Sequence, residues 1–290
     1  PLLIGTGPFV LKEWTRGSHV VLERNPNYWD KPKPYLDRVV IRFMPDAAAR
    51  AAAFEAGDLD LGSSAPVPLA DLPRFEKDPR FSVYRQDYAY TGQQHQIFFN
   101  LETEVLKDRR VREAVAHALD LNRMVDTVFY GAAKVSPSPV SVALTPFYDP
   151  AIKPRAFDTA RSEKLLDEAG LPKKADGMRV QLRLLINPFI DARLADFVRQ
   201  SLRRVGIDAV IQPREFAAYV KQVYGDRQFD MIIESLSNVF DPTVGIQRGY
   251  WSKNFKPGLP FSNSARYESA EADRLLEAAA VEMDLSLIHI

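Results

Sequence analysis

Apolar and polar residues alternate over 9–14 and again over 19–24, on either side of Gly17-Ser18. A period of two broken by such a pair predicts two antiparallel strands joined by a tight turn. The stretch 36–43 repeats the pattern, with Val39, Ile41 and Phe43 on one face. Asp46 occupies the N-cap position of an alanine-rich helix over 47–56, and Gly57 the position that ends it. Leu59 and Leu61 then read as a short strand. The proline-bearing stretch 62–79 reads as loop with a short helix, and 81–86 and 94–101 as two further strands.

From Asp108 the period lengthens. Val111, Val115, Ala118 and Leu119 recur at helical spacing, Asp120 caps a second helix that ends before Gly131, and Asp158 caps a third that stops at Gly170-Leu171-Pro172. The proline-rich stretch 135–157 between them reads as an extended surface loop. The section from 179 is the most regular: strand 179–186, helix 192–205 ended by Gly206, strand 207–212, helix 215–224 and strand 229–236. Strands and helices in that alternation predict a mostly parallel sheet covered by helices. In such sheets ligands bind beyond the carboxyl ends of the strands. The loop 237–251 after the third strand is therefore the candidate site.

Composition narrows the classes. The 290 residues make room for about two domains. Hydrophobic residues make up 46%, enough for a substantial core, and 38 basic residues balance 38 acidic ones. A neutral chain argues against non-specific nucleic-acid or anionic-membrane binding. With no cysteine, disulfides, thiol catalysis and cysteine-ligated metals are excluded. His19, His95, His117 and His289 form no metal-ligand spacing, and no cofactor is expected. Gly5-Thr6-Gly7-Pro8 opens like a dinucleotide fingerprint, but Val10 replaces its third glycine and Pro8 blocks the helix start. Glu234 and Asp241 are the one carboxylate pair to weigh for acid–base hydrolysis. Carboxylates at strand ends more often cap helices or brace loops. The aromatics Tyr28, Trp29, Tyr84, Tyr88, Tyr90, Tyr250, Trp251 and Phe255 fall in or beside loops and strand ends, where they suit either an organic-ligand wall or an inter-strand core.

Several segments match a known family in order. They are Gly5-Thr6-Gly7-Pro8-Phe9, Leu22-Glu23-Arg24-Asn25-Pro26-Asn27-Tyr28-Trp29, and Phe54-Glu55-Ala56-Gly57-Asp58-Leu59-Asp60. Phe99-Asn100-Leu101 and the run from Asp108 to Asp120 follow, then Ala169-Gly170-Leu171, Leu202 to Ile207, and Phe229-Asp230-Met231. Together they resemble the extracytoplasmic solute-binding proteins of family 5, which serve ABC importers of peptides, oligopeptides and nickel.

The resemblance implies an α/β chain of two-lobed, type II periplasmic-binding architecture that is incomplete, a mixed-sheet lobe beside a mostly parallel βαβαβ lobe. By that analogy 1–100 are part of the first lobe, 101–284 most of the second, and 285–290 a tail unlike the family. The chain then reads as the middle of a longer protein, with its signal peptide outside it. The implied function is capture of a peptide-like or other small organic solute by hinge closure, as an extracytoplasmic monomer that delivers to membrane permease subunits and is not an enzyme. A ligand-sensing receptor module is the alternative, and a hydrolase using Glu234 and Asp241 the more remote one. The expected ligand contacts are Ser237, Asn238, Asp241, Tyr250 and Trp251. Peptide-binding members carry at the position of Asn238 an acidic residue that pairs with the ligand's α-amino group. A neutral amide cannot form that charge-assisted pair, so Asn238→Asp is expected to raise affinity for free amines.

Overall fold

The computed structural model describes residues 5–63, 66–85, 91–238, 241 and 243–283. Two compact units divide the chain, Pro1–Val83 and Tyr84–Ile290.

In the first unit, strands β1 (Phe9–Thr15), β2 (His19–Arg24) and β3 (Arg38–Arg42) form an antiparallel sheet in that order. A bulge between Leu11 and Glu13 shifts the β1–β2 register. Helix α1 (Ala47–Ala56) starts where Asp46 accepts from the Ala49 amide and ends at Gly57, whose φ of +79° only glycine adopts cheaply. Residues 59–61 form no strand: Asp58 N–H turns back to the Ala53 carbonyl, and Leu61 is left in solvent. Residues 81–85 form none either, because Phe81 packs into a small aromatic core with Phe54 and with Phe75 of α2 (Leu72–Lys77). Gln86 lies outside the described residues.

The second unit holds a four-stranded sheet in the order β4-β7-β5-β6, built from β4 (Gln94–Phe99), β5 (Val180–Ile186), β6 (Ile207–Pro213) and β7 (Met231–Leu236). The neighbours of β5 run parallel to it and β4 runs antiparallel to β7, so the βαβαβ expectation holds with one reversed edge strand. Strand β4 was expected in the segment ending at residue 100, yet it is hydrogen-bonded within this second unit.

The pleat sends alternate residues to opposite faces. Ile97, Leu182, Leu184, Ile186, Met231 and Ile233 meet Leu106 of the short helix α3 (Glu104–Lys107) and the helices α4 (Arg109–Ala118), α5 (Leu121–Val128), α6 (Thr159–Glu168) and α7 (Ala192–Arg204) in the larger core. Phe98, Leu185, Ile232 and Leu236 meet Tyr219, Val223 and Tyr224 on the other face, from α8 (Phe216–Val220) and the wider turn Lys221–Gly225 that prolongs it. Asp108, Asp120, Asp158 and Asp191 cap α4 to α7, each accepting a backbone amide.

The strands are also fixed along their length. Asp230 accepts from the Arg183 amide at 2.8 Å, from its guanidinium at 2.9 and 3.0 Å, and from the Thr103 hydroxyl. Burial alone would raise this carboxyl; the Arg183 bonds outweigh it and hold it below the ordinary range.

Candidate functional site

Three parallel strands deliver their carboxyl ends to one edge of the second unit, and three loops leave from it: 187–191 after β5, 214–215 after β6, and 237–247 after β7. The amino end of β4 arrives at the same edge, since Gln94 lies opposite Leu236. This is where an α/β sheet presents its ligand groups.

The expected contact residues fall into three places. Ser237, Asn238 and Asp241 share one turn, in which the Asp241 amide donates to the Asn238 carbonyl at 3.1 Å. The Asp241 carboxylate accepts from both the amide and the hydroxyl of Thr243, so it starts the wide helical turn Thr243–Gln247. Tyr250, in the short helix α9 (Arg248–Tyr250), donates its hydroxyl to Gln96 of β4 at 2.8 Å and packs on Phe98 and Tyr267. Trp251 turns its ring N–H to Glu277 of α10 (Ala270–Ala279) at 2.9 Å, with Lys253 over its face. Tyr88 and Tyr90 lie outside the described residues.

Asn238 is 1% exposed. Its backbone amide donates to the Thr91 carbonyl at 3.0 Å and its side-chain amide to the Gly92 carbonyl at 3.3 Å, while its Oδ1 is buried without a partner among the described residues. A buried acceptor in that condition costs stability unless something fills it. The same geometry adds a cost to the aspartate exchange. A carboxylate oxygen would replace the NH₂ that faces the Gly92 carbonyl, oxygen against oxygen. Asn238→Asp is therefore expected to lower stability by about 2 kcal/mol, read as a drop in urea midpoint at neutral pH. An unchanged midpoint would mean that the amide contributes nothing to this clasp.

Glu234 and Asp241 are not assembled as an acid–base pair. Glu234 is 1% exposed and faces the α8 side, where its Oε1 accepts from the hydroxyls of Tyr219 at 2.5 Å and Tyr224 at 3.0 Å. Asn187, just after β5, accepts from the Phe189 amide through its Oδ1 at 2.9 Å. Burial pushes the Glu234 carboxyl above its ordinary range against the lowering effect of the two tyrosines and of Arg248. This network braces the strand ends from below.

Above it lie residues that the sequence did not single out. Phe189 follows β5, Phe216 starts α8 after β6, and Phe261 comes from the loop after α9. They form a ring series, with centroids 5.5 Å apart for the first pair and 6.0 Å for the second. Phe189 is 70% exposed. The available signal was positional: Phe189 and Phe216 lie three and four residues past the predicted ends of their strands, 186 and 212.

On the opposite face an apolar cavity of about 320 Å³ lies between β4 and α4, α5 and α7, a size within the range of small-ligand sites. Of its polar members, Gln96, Ser136 and Arg155 are bonded to Tyr250, Gln94 and Glu113, and His95 stacks on Phe129 with ring centroids 5.6 Å apart. At the strand-end edge, Asn238 keeps a buried acceptor that has no partner among the described residues.

The family described as "Bacterial extracellular solute-binding proteins, family 5 Middle" matches residues 2–281. The oligopeptide-binding protein AppA of Bacillus subtilis is 30% identical over 291 residues, covering 95% of this chain and 51% of that protein. The nickel-binding periplasmic protein of Escherichia coli is 28% identical over 241 residues, covering 79% of this chain and 45% of that protein. Among solved structures, NikZ of Campylobacter jejuni in complex with Ni(L-His) superimposes with a TM-score of 0.81 at 20% identity, over 99% of this chain and 59% of that one. AppA of B. subtilis with a nonapeptide gives 0.74 at 27% identity, over 98% and 56%. The chain spans about half the length of the curated relatives it matches.

Proposed function

The chain belongs to family 5 of the bacterial extracellular solute-binding proteins, and from that premise we propose that it forms part of the binding surface of an ABC importer's solute-binding protein, with peptide-like solutes as cargo. The observation that carries this reading is the family match from residue 2 to 281, joined to the likeness with an oligopeptide-binding protein over 95% of the chain.

In this reading the whole protein works outside the cytoplasm as a monomer, closes two lobes on its ligand, and presents the closed form to permease subunits. It turns nothing over. Ser237 and Asn238, whose buried Oδ1 has no partner among the described residues, contact the ligand, Asp241 shapes the turn that carries them, and Tyr250 and Trp251 hold that turn against β4 and α10. An amide at 238 suits a neutral donor better than an ammonium group, since it supplies no charge.

Binding stabilises the folded state in proportion to ligand occupancy, by about 2.7 kcal/mol at a hundred times Kd. The intact protein, unfolded and refolded to free it of carried ligand, is expected to melt several degrees higher with a defined pool of tri- to pentapeptides. Ni(II)–histidine serves as the second probe. A shift with the nickel chelate and none with the peptides would overturn the cargo assignment, and a shift with neither would overturn the carrier reading.

A further inference from the structure

Three observations at the strand-end edge converge on one class of ligand. First, the rings of Phe189, Phe216 and Phe261 form a continuous series. Phe189 meets Phe216 edge-on at 62° and Phe216 lies nearly parallel to Phe261 at 27°. Phe189 is exposed, while Phe216 and Phe261 are half-buried and Phe261 packs on the core around Tyr219 and Tyr224. A row of rings that runs from core to solvent at the ligand end of an α/β sheet offers contact area to an apolar partner.

Second, the row is fixed in place at a cost. Phe261 has φ +60°, a conformation that bulky side chains rarely adopt and that persists only where its surroundings enforce it. Those surroundings are visible. Ser262 donates its hydroxyl to the Leu259 carbonyl at 2.8 Å, and the Gly258 amide donates to the Tyr224 carbonyl. Tyr224 is in turn bonded to Glu234. The strained turn holds the Phe261 ring in the row.

Third, the row ends in a cation. Arg248 is exposed, its Cζ lies 5.7 Å from the Phe261 ring centroid, and its Nε donates to the Phe261 carbonyl at 3.2 Å. Among the described residues no carboxylate lies within ion-pair distance of it, which leaves the outer nitrogens of the guanidinium for an anion. An Arg fork pairs most strongly with a carboxylate, in bidentate geometry.

We propose that this edge selects ligands carrying an aromatic side chain together with a terminal carboxylate, the ring on the Phe189–Phe216–Phe261 row and the carboxylate on Arg248. From the first ring to the guanidinium the row reaches at most about 17 Å, the length of about five extended residues. The proposal rests on the carrier reading and narrows it to short peptides, or peptide-like acids, with an aromatic residue and a free carboxyl end.

The test is titration calorimetry on the intact protein with three synthetic probes: Ala-Phe-Phe-Ala, its C-terminal amide, and Ala-Ala-Ala-Ala. Ala-Phe-Phe-Ala is expected to bind about tenfold tighter than either of the others. Phe189→Ala, a change at an exposed ring, is expected to erase the advantage over tetra-alanine while leaving the acid-over-amide preference. Arg248→Gln should do the reverse. Melting curves of both variants without ligand check that the fold is kept. Equal affinities for the three probes, or preferences that both variants retain, would overturn this proposal while leaving the carrier standing. Binding of none of them, nor of any peptide in the pool, would overturn both.

Discussion

Gly245→Ala is expected to destabilise the protein by about 3 kcal/mol and to weaken ligand binding more than any single change to a wall residue. A Cβ at position 245 would press into the Ser237 carbonyl oxygen and stand 3.0 Å from the Asn238 Cα. Both are backbone atoms of the loop that leaves β7, so no side chain can swing aside to make room. The backbone of 237–238 must move, and with it the Asn238 bonds to Thr91 and Gly92. Urea unfolding should show a lower midpoint at unchanged slope. Gly249→Ala is the control. Its added methyl would meet only side-chain atoms of Leu236 and Phe98, at 3.5 and 3.6 Å, and it should change stability by less than about 1 kcal/mol. Equal losses in the two variants would refute the backbone clash as the cause.

Tyr219→Phe is expected to cost about 2–3 kcal/mol near neutral pH, because it strips a buried carboxylate of its shortest donor. Glu234 then retains only Tyr224, and its Oε2 is already without a partner among the described residues. The pH dependence follows from the same group. Burial raises the Glu234 carboxyl in the folded state, so over the interval between its unfolded and folded values the native protein keeps a proton that the unfolded chain has lost. Stability from this group is fully present below the unfolded value, about 4.3 for a free Glu, and declines as pH rises through the folded value. The decline is no steeper than about 1.4 kcal/mol per pH unit. Glu234→Gln should remove that slope. Parallel stability curves for the wild type and the Gln variant from pH 4 to 8 would contradict the assignment.

Features set by neighbouring residues were legible in the sequence. Asp46, Asp120 and Asp158 cap their helices as read, because a cap needs only an oxygen and an amide three residues on. The alternation over 9–14 and 19–24 was equally direct and gave two paired strands, and over 180–186 it gave the strand even though β5 buries both faces. Two expected strands were wrong for a common reason: alternation at Leu59 and Leu61, or from Phe81, says nothing about whether a partner strand is in reach. There the Ala53 carbonyl and an aromatic cluster claimed the residues first.

The candidate site was legible as a place and not as a set of side chains. Strand order located the loop after β7. The pleat decided that Glu234 turns to Tyr219 and Tyr224, and a phase error of one residue would have sent it to the other face. The Phe189–Phe216–Phe261 row was out of reach, because its members come from three separate loops and meet only once β5 and β6 lie side by side.

The strand order also dictates a schedule. Strands β5 and β6 are separated by one helix and can pair as soon as that helix is made. Strand β4 is made earliest of the four, yet its partner β7 is made last. Until Met231–Leu236 exist, β4 has two open edges and exposes Ile97, Phe98 and Phe99, the kind of segment that pairs with whatever strand it meets. A chain emerging amino end first, from a ribosome or through a narrow channel, therefore carries an adhesive strand for most of the time that the second unit takes to appear. Non-local closure of this kind is slow, and a pause or break just before β7 would free the strand most prone to aggregate.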